Sequence, residues 1–205
     1  MDFSPIRQPI NPLIDSVFPN LSKPTFLYSY FNLNIMGEKI VYNGKFITVK
    51  EEKGENFLYE RAYLRPSVQV IAFTKDKKVL MIKEKRPIEG RSRWKFVSGF
   101  LDKPGLSAEQ VAQEELMEEA GFSAGKIVKY LYVEDKHSFV IPITYYLAYD
   151  LKEDKKHNPD GDVIEEVKSF SIEELYQRVL DGEFDFLHES SMIMKLYRDL
   201  KAGKL

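Results

Sequence analysis

The chain has 205 residues, with 30 Lys and Arg against 32 Asp and Glu, for a formal net charge of −2. With 43% hydrophobic and 13% aromatic residues, it holds enough apolar surface to bury a core, which excludes disorder of the whole chain. Near-balanced charge argues against a protein that coats nucleic acid, and no apolar run approaches the ~20 residues of a membrane-spanning helix. The absence of cysteine excludes disulfides, thiol nucleophiles and Cys-type zinc sites, and agrees with a cytoplasmic location. The N-terminal Met1-Asp2-Phe3-Ser4-Pro5 lacks the basic segment and apolar stretch of a secretory signal.

Residues 1–36 differ in kind from the rest. Pro5, Pro9, Pro12, Pro19 and Pro24 preclude a long helix or a central strand. Ile6, Ile10, Leu13, Val17, Phe18 and the run Phe26 to Phe31 are too apolar for a free tail, so an arm docked on a surface is expected. Ordinary domain sequence runs over 37–205, opening with a hairpin region at about 37–63. There Asn43-Gly44 separates two β-branched, aromatic runs between Lys39 and Val49 and predicts a tight turn with positive φ angles. Strands are expected at Phe57–Tyr63, Ser67–Phe73, Val79–Lys83 and Trp94–Val97, with a charged turn at Lys75-Asp76-Lys77-Lys78.

Ser107 with Gln110 forms a capping box for a helix that Gly121 ends. Strands follow near Lys126–Val133, Phe139–Tyr149 and Val163–Phe170. Ser171 caps a second helix with Glu173 and Glu174 in its first turn, and a last helix spans about Glu189 to Leu200. Strands with interspersed helices and no fixed repeat indicate a mixed α/β domain.

The informative stretch runs from Ser98-Gly99-Phe100 to Glu114-Glu115-Leu116-Met117-Glu118-Glu119-Ala120-Gly121-Phe122. At about 100° per residue, Glu115, Glu118 and Glu119 fall within one helical arc of roughly 100°. Ala112, Leu116 and Ala120 form the adjacent stripe, suited to packing on a sheet. Two carboxylates ~5 Å apart repel by about 3 kcal/mol at an effective dielectric of about 20. A hard divalent cation, Mg²⁺ or Mn²⁺, offsets that repulsion and serves phosphate chemistry. Taken alone, such a cluster also describes a solvated acidic face balanced by lysines, so the surrounding residues must separate the two readings. His137, His157 and His188 have no metal-type spacing and read as structural or surface residues. Phosphate-loop, dinucleotide and serine-elbow motifs are absent.

The order of glycine loop, capped helix, acidic cluster and Gly121-Phe122 resembles the Nudix box, G-x5-E-x7-R-E-U-x-E-E-x-G-U with U a bulky apolar residue. Lys83-Glu84-Lys85-Arg86-Pro87 and Trp94-Lys95-Phe96-Val97-Ser98-Gly99-Phe100-Leu101-Asp102 look like the strand and loop of the ADP-ribose and nucleoside-diphosphate-sugar pyrophosphatases. The likeness covers about Lys39 to Leu200. It implies an α/β/α sandwich with a mixed β-sheet, preceded by N-terminal strands. It implies hydrolysis of the diphosphate in a nucleotide sugar such as ADP-ribose, giving a nucleoside monophosphate and a sugar phosphate. By the same resemblance Glu115 and Glu119 would be the principal ligands of Mg²⁺ or Mn²⁺, with Glu118 an additional ligand or supporting acid and the Ser98 carbonyl another. Arg86 would contact substrate phosphate, and Arg65 and Phe46 are further substrate-binding candidates, Phe46 as a stacking ring. Asp160 and Asp162, in the acidic loop from Glu153 to Asp162, are the candidates for catalytic base. A homodimer with N-terminal strands exchanged or packed across its interface is also implied; nucleic acid and membrane partners are not.

Three positions depart from the pattern. Glu114 replaces the box arginine, which turns an attractive i, i+4 neighbour of Glu118 into a repulsive one. Leu106 replaces the first box glutamate. One extra residue lies between Gly99 and Gly121, placed most simply at Lys103-Pro104, where a loop tolerates it. These departures motivate the rival reading, a degenerate domain that binds a nucleotide or a partner without hydrolysis. A Nudix hydrolase for another pyrophosphate class, such as capped RNA or dinucleoside polyphosphates, is the third.

Overall fold

Every residue of Ser67–Phe73 after Ser67 is buried, the signature of a strand covered on both faces. In the computed structural model, which describes residues 37–86, 88–154, 163–184 and 187–205, this strand (β4) lies inside a mixed sheet. The others are β1 (Gly37–Asn43), β2 (Ile47–Lys53), β3 (Leu58–Leu64), β5 (Val79–Arg86), β6 (Arg91–Lys95), β7 (Val97–Phe100), β8 (Phe122–Lys136), β9 (Phe139–Glu153) and β10 (Ile164–Phe170). Their order is β1-β2-β3-β9-β4-β5-β10, with β6 beside β5, β7 beside β4 and β8 beside β9. β9 runs parallel to both β3 and β4, and the remaining pairs are antiparallel. The docking arm expected over 1–36 lies outside the described residues.

Alternation along the central strands builds two cores. Val68, Val70 and Ala72 pack with Val97, Val111, Ala112, Leu116 and Ala120 on one face. That face carries α1 (Ala108–Glu115) and the turn that extends it. Ile71, Phe73 and Met81 pack with Leu175, Ile193 and Leu196 on the other, beneath α2 (Ile172–Leu180) and α3 (Leu187–Lys201). The layers are therefore α/β/α, as expected. Among the described residues no helix is long and apolar enough to cross a membrane.

Three local expectations change. The segment read as one strand at Trp94–Val97 is two: Trp94 and Lys95 pair with Lys83 and Ile82 of β5, whereas Val97, Ser98 and Gly99 pair with Val70, Gln69 and Val68 of β4. β4 and β5 pair with each other only at Ala72↔Leu80 and Phe73↔Val79. Beyond that point they diverge, and the chain crosses between them at the fully buried Phe96. The hairpin at Asn43-Gly44 exists, but Asn43 pairs with Thr48 and neither turn residue takes a positive φ. A bulge between Ile40 and Tyr42 shifts the register, and the strands are joined by a loop wider than a two-residue turn.

The capped helix is the third. Its box is present: the Gln110 N–H donates to Ser107 Oγ at 3.2 Å and the Ser107 N–H donates to Gln110 Oε1 at 2.8 Å. It is not one regular α-helix. After Glu115 it opens into a π turn, Leu116–Ala120, ended by Gly121 at φ 76°. Such wide turns are frequent at functional positions. Leu116 anchors this turn and is fully buried. Leu116→Ala should cost about 2–5 kcal/mol of stability, read as a lower urea midpoint at unchanged slope.

Candidate functional site

The acidic residues sit where α1 meets its π turn, under the strand that β7 adds to β4. Glu115 closes α1, and Glu118 and Glu119 belong to the turn. Glu115 is 6% exposed and Glu119 4%, so they do not form a solvated face. Gly99 is what lets them fit. A Cβ at that position would lie 2.2 Å from the Glu115 carboxyl carbon, well inside contact distance, so glycine lets β7 cross the carboxylate without displacing it.

The structure divides the three carboxylates between two lysines. The Ser98 N–H donates to Glu119 Oε2 at 2.8 Å, and Lys95 Nζ donates to Glu119 Oε1 at 3.0 Å. Lys95 Nζ also reaches Glu84 Oε2 at 3.2 Å and Ser98 Oγ at 3.2 Å. Arg86 Nη1 donates to the other oxygen of Glu84 at 3.2 Å. A row Arg86–Glu84–Lys95–Glu119 results. Separately, Lys103 Nζ stands 3.0 Å from Glu118 Oε2, 3.3 Å from Glu115 Oε1 and 3.2 Å from Glu114 Oε2. The repulsion that the sequence demanded be offset is met here by tethered ammonium groups.

Burial sets the electrostatics. It pushes the Glu115 carboxyl up to about 7, against the opposing pull of Lys103. It raises Glu119 as well, against the pull of Lys95 and the Ser98 N–H. Burial also works against the ammonium of Lys95, but Glu119 and Glu84 outweigh it and hold that lysine above its ordinary value. Among the described residues no three acids or histidines already stand in ligating positions. The donor set nonetheless fits a hard divalent cation: it is all oxygen, and its carboxylates are buried and crowded.

The remaining candidates fall in two places. Arg86 joins the site through Glu84. Phe46 and Arg65 meet each other: the Arg65 N–H donates to the Phe46 carbonyl at 3.2 Å, and its guanidinium lies 5.8 Å from the Phe46 ring centroid. Phe46 also faces the Phe100 ring at 5.6 Å, and Arg65 Nη1 reaches Asp102 Oδ2 at 3.4 Å. This shelf flanks the loop that carries Lys103. Asp160 and Asp162 lie outside the described residues.

Sequence reasoning missed Lys95, Glu84 and Lys103. Lys95 and Glu84 gave no signal, because their meeting with Glu119 depends on strand pairing. Lys103 did leave one, since it stands at the residue in excess of the box pattern. Glu189 was also passed over. It is buried at the start of α3, its Oε2 lacks a hydrogen-bond partner, and burial pushes its carboxyl up against the pull of Lys95 and Arg86.

The sequence model of the NUDIX domain family matches residues 63–189. Comparison with curated protein sequences gives no match. Among solved structures the chain is similar to the crystal structure of an ADP compounds hydrolase, with a TM-score of 0.68 at 21% identity, over 82% of this chain and 94% of that one. At that identity the likeness concerns the fold.

Glu115 makes stability depend on pH. A carboxyl raised to about 7 in the folded state holds its proton more tightly than in the unfolded chain, where its pKa is about 4.3. The resulting stabilisation is complete below the unfolded value and is lost as pH rises through the folded one. In chelator, stability should therefore fall between pH about 4.3 and about 7, by an amount on the order of 2 kcal/mol once solvent screening is allowed for, read as a falling melting temperature. Glu115→Gln should flatten that slope. Gly99→Ala should flatten it too, because the added methyl displaces the carboxylate toward water. A slope unchanged in both variants would remove Glu115 as its source.

Proposed function

We propose, for a chain that belongs to the NUDIX domain family, that it hydrolyses the diphosphate linkage of a nucleoside diphosphate sugar, ADP-ribose or a close analogue. The products are a nucleoside monophosphate and a sugar phosphate. The observation that carries this reading is the pair of buried glutamates, Glu115 and Glu119, held against the Ser98-Gly99 backbone on a family-type loop and helix.

Glu115, Glu118, Glu119 and the Ser98 carbonyl oxygen would hold Mg²⁺ or Mn²⁺. When bound, the ion supplies positive charge against the diphosphate and lowers the pKa of water. The chain's own groups do the rest. Lys95 keeps the Glu119 carboxylate fixed against β7, so its orientation is set before substrate arrives. Arg86, 41% exposed along its side chain and held by Glu84, has donors to spare for a phosphate oxygen. Phe46 offers a ring face to a nucleobase, and Arg65 beside it offers a cation to the same ligand. In the reaction a water oxygen bonds to one phosphorus, the bond from that phosphorus to the bridging oxygen breaks, and a carboxylate takes the water's proton. Asp160 and Asp162 are the proposed bases.

The proposal extends to a cytoplasmic homodimer. Ile40, Tyr42, Leu58 and Tyr59 are exposed on β1 and β3, and exposed apolar side chains on the outer strands of a sheet support pairing with a second copy. The rival reading, nucleotide binding without hydrolysis, is favoured by the lysines seated on the acids and by Glu114 at the box arginine position.

The test is product formation from ADP-ribose with Mg²⁺ or Mn²⁺, followed by chromatography. Wild type should release AMP and ribose 5-phosphate in equal amounts. Glu119→Gln, assayed below a melting temperature that the loss of this buried partner of Lys95 lowers, should be slower by about 100-fold or more. Equal turnover by the two proteins removes the metal-ligand assignment. Tight ADP-ribose binding with no product from wild type selects the binding module.

A further inference from the structure

The two lysines of the site are held very differently. Lys95 projects from β6, and Glu84, Glu119 and Ser98 Oγ surround its ammonium. Strand pairing to β5 fixes its backbone at Ile82↔Lys95. Lys103 belongs to the exposed loop between β7 and α1, followed by Pro104 and by Gly105 at φ 84°. Its side chain is 26% exposed. The Leu106 N–H donates to the Lys103 carbonyl at 3.4 Å, and the ammonium sits at the tip of a long, flexible stem.

Lys103 Nζ shares Glu115 Oε1 and Glu118 Oε2, two of the oxygens proposed to ligate a divalent ion. An ion ligated there would lie about 2.1 Å from such an oxygen, while the ammonium lies 3.0 Å and 3.3 Å from them. Two cations on the same oxygens would be a few ångströms apart and would repel strongly in this half-buried setting. Each cation therefore weakens the other's hold on these oxygens. Glu114 then acquires a use: it contacts Lys103 at 3.2 Å from a side chain 38% exposed, on the solvent side of the buried Glu115. It can keep the ammonium beside the site once the inner oxygens are taken.

We infer that Lys103 is a tethered counter-ion: it occupies Glu115 and Glu118 in the metal-free protein and is displaced onto Glu114 when a divalent cation binds. This rests on the metal reading proposed above and goes beyond it. It makes metal affinity a contest between an internal cation and an external one, with the loop around Lys103 as the moving part. Lys95, locked in its strand, does not exchange.

The test is Mn²⁺ binding to metal-stripped protein, followed by electron paramagnetic resonance of the free ion, together with melting temperatures in chelator. Lys103→Met should bind Mn²⁺ roughly tenfold more tightly than wild type, equivalent to about 1.4 kcal/mol, and should melt lower than wild type in chelator. Lys103→Arg, which keeps the charge, should match wild type. Glu114→Gln should weaken Mn²⁺ binding, and by less when combined with Lys103→Met. Lys39→Met, which removes the same charge from the exposed β1, should change nothing. Mn²⁺ binding by Lys103→Met that is equal to or weaker than wild type overturns the counter-ion role and leaves the metal reading intact. Absence of Mn²⁺ binding by every protein overturns both.

Discussion

Two glutamates taken out of water under a single strand set the terms for everything else in this molecule. An unpaired buried carboxylate costs several kcal/mol, and Glu115 and Glu119 are almost wholly buried. The cost is offset by a backbone N–H and two ammonium groups, all supplied by the stretch from Lys95 to Lys103. Those partners pull against burial, which still holds both carboxyls above the ordinary carboxylate range. The site is therefore a balance of charges before it is a place for substrate.

That balance depends on the sheet. Lys95 and Ser98 reach the two different oxygens of Glu119 because the chain changes partners at Phe96, leaving β5 for β4. Phe96 is buried in the core beneath α2 and α3, while Val97 packs toward α1. One crossing thus connects both layers to the site. The π turn after Glu115 works from the other side: Leu116 and Ala120 hold it to the sheet, and Gly121 closes it in the left-handed conformation.

The departures from the family box belong to one local rearrangement. A glutamate at 114 adds negative charge to a helix end already carrying Glu115 and Glu118. The longer loop returns a positive charge at Lys103, bonded to all three. A cation carried on a loop is free to move in a way that a cation in a helix is not, because the helix backbone fixes the origin of its side chain. Leu106, at the other altered position, joins the apolar cluster beneath α1, so an acid there has been exchanged for packing.

Much of this was legible from residues alone. The Ser107–Gln110 cap, the Ala112–Leu116–Ala120 stripe, the terminating glycine and the alternation of β4 are local patterns. Each is governed by forces acting over one or two turns or a few residues, so each could be read before any contact was known. The acids and their need for a cation were legible for the same reason. The chain's identity as a mixed α/β domain followed from the succession of such elements. The strand break at Phe96, the wider loop at Asn43-Gly44, the π turn, and the partition of the glutamates between Lys95 and Lys103 were not. They arise from pairings between segments up to tens of residues apart, and from the limited space under β7. Sequence spacing records which groups lie along a face; it carries no measure of distance across a fold, and the choice of which cation meets which carboxylate is made only there.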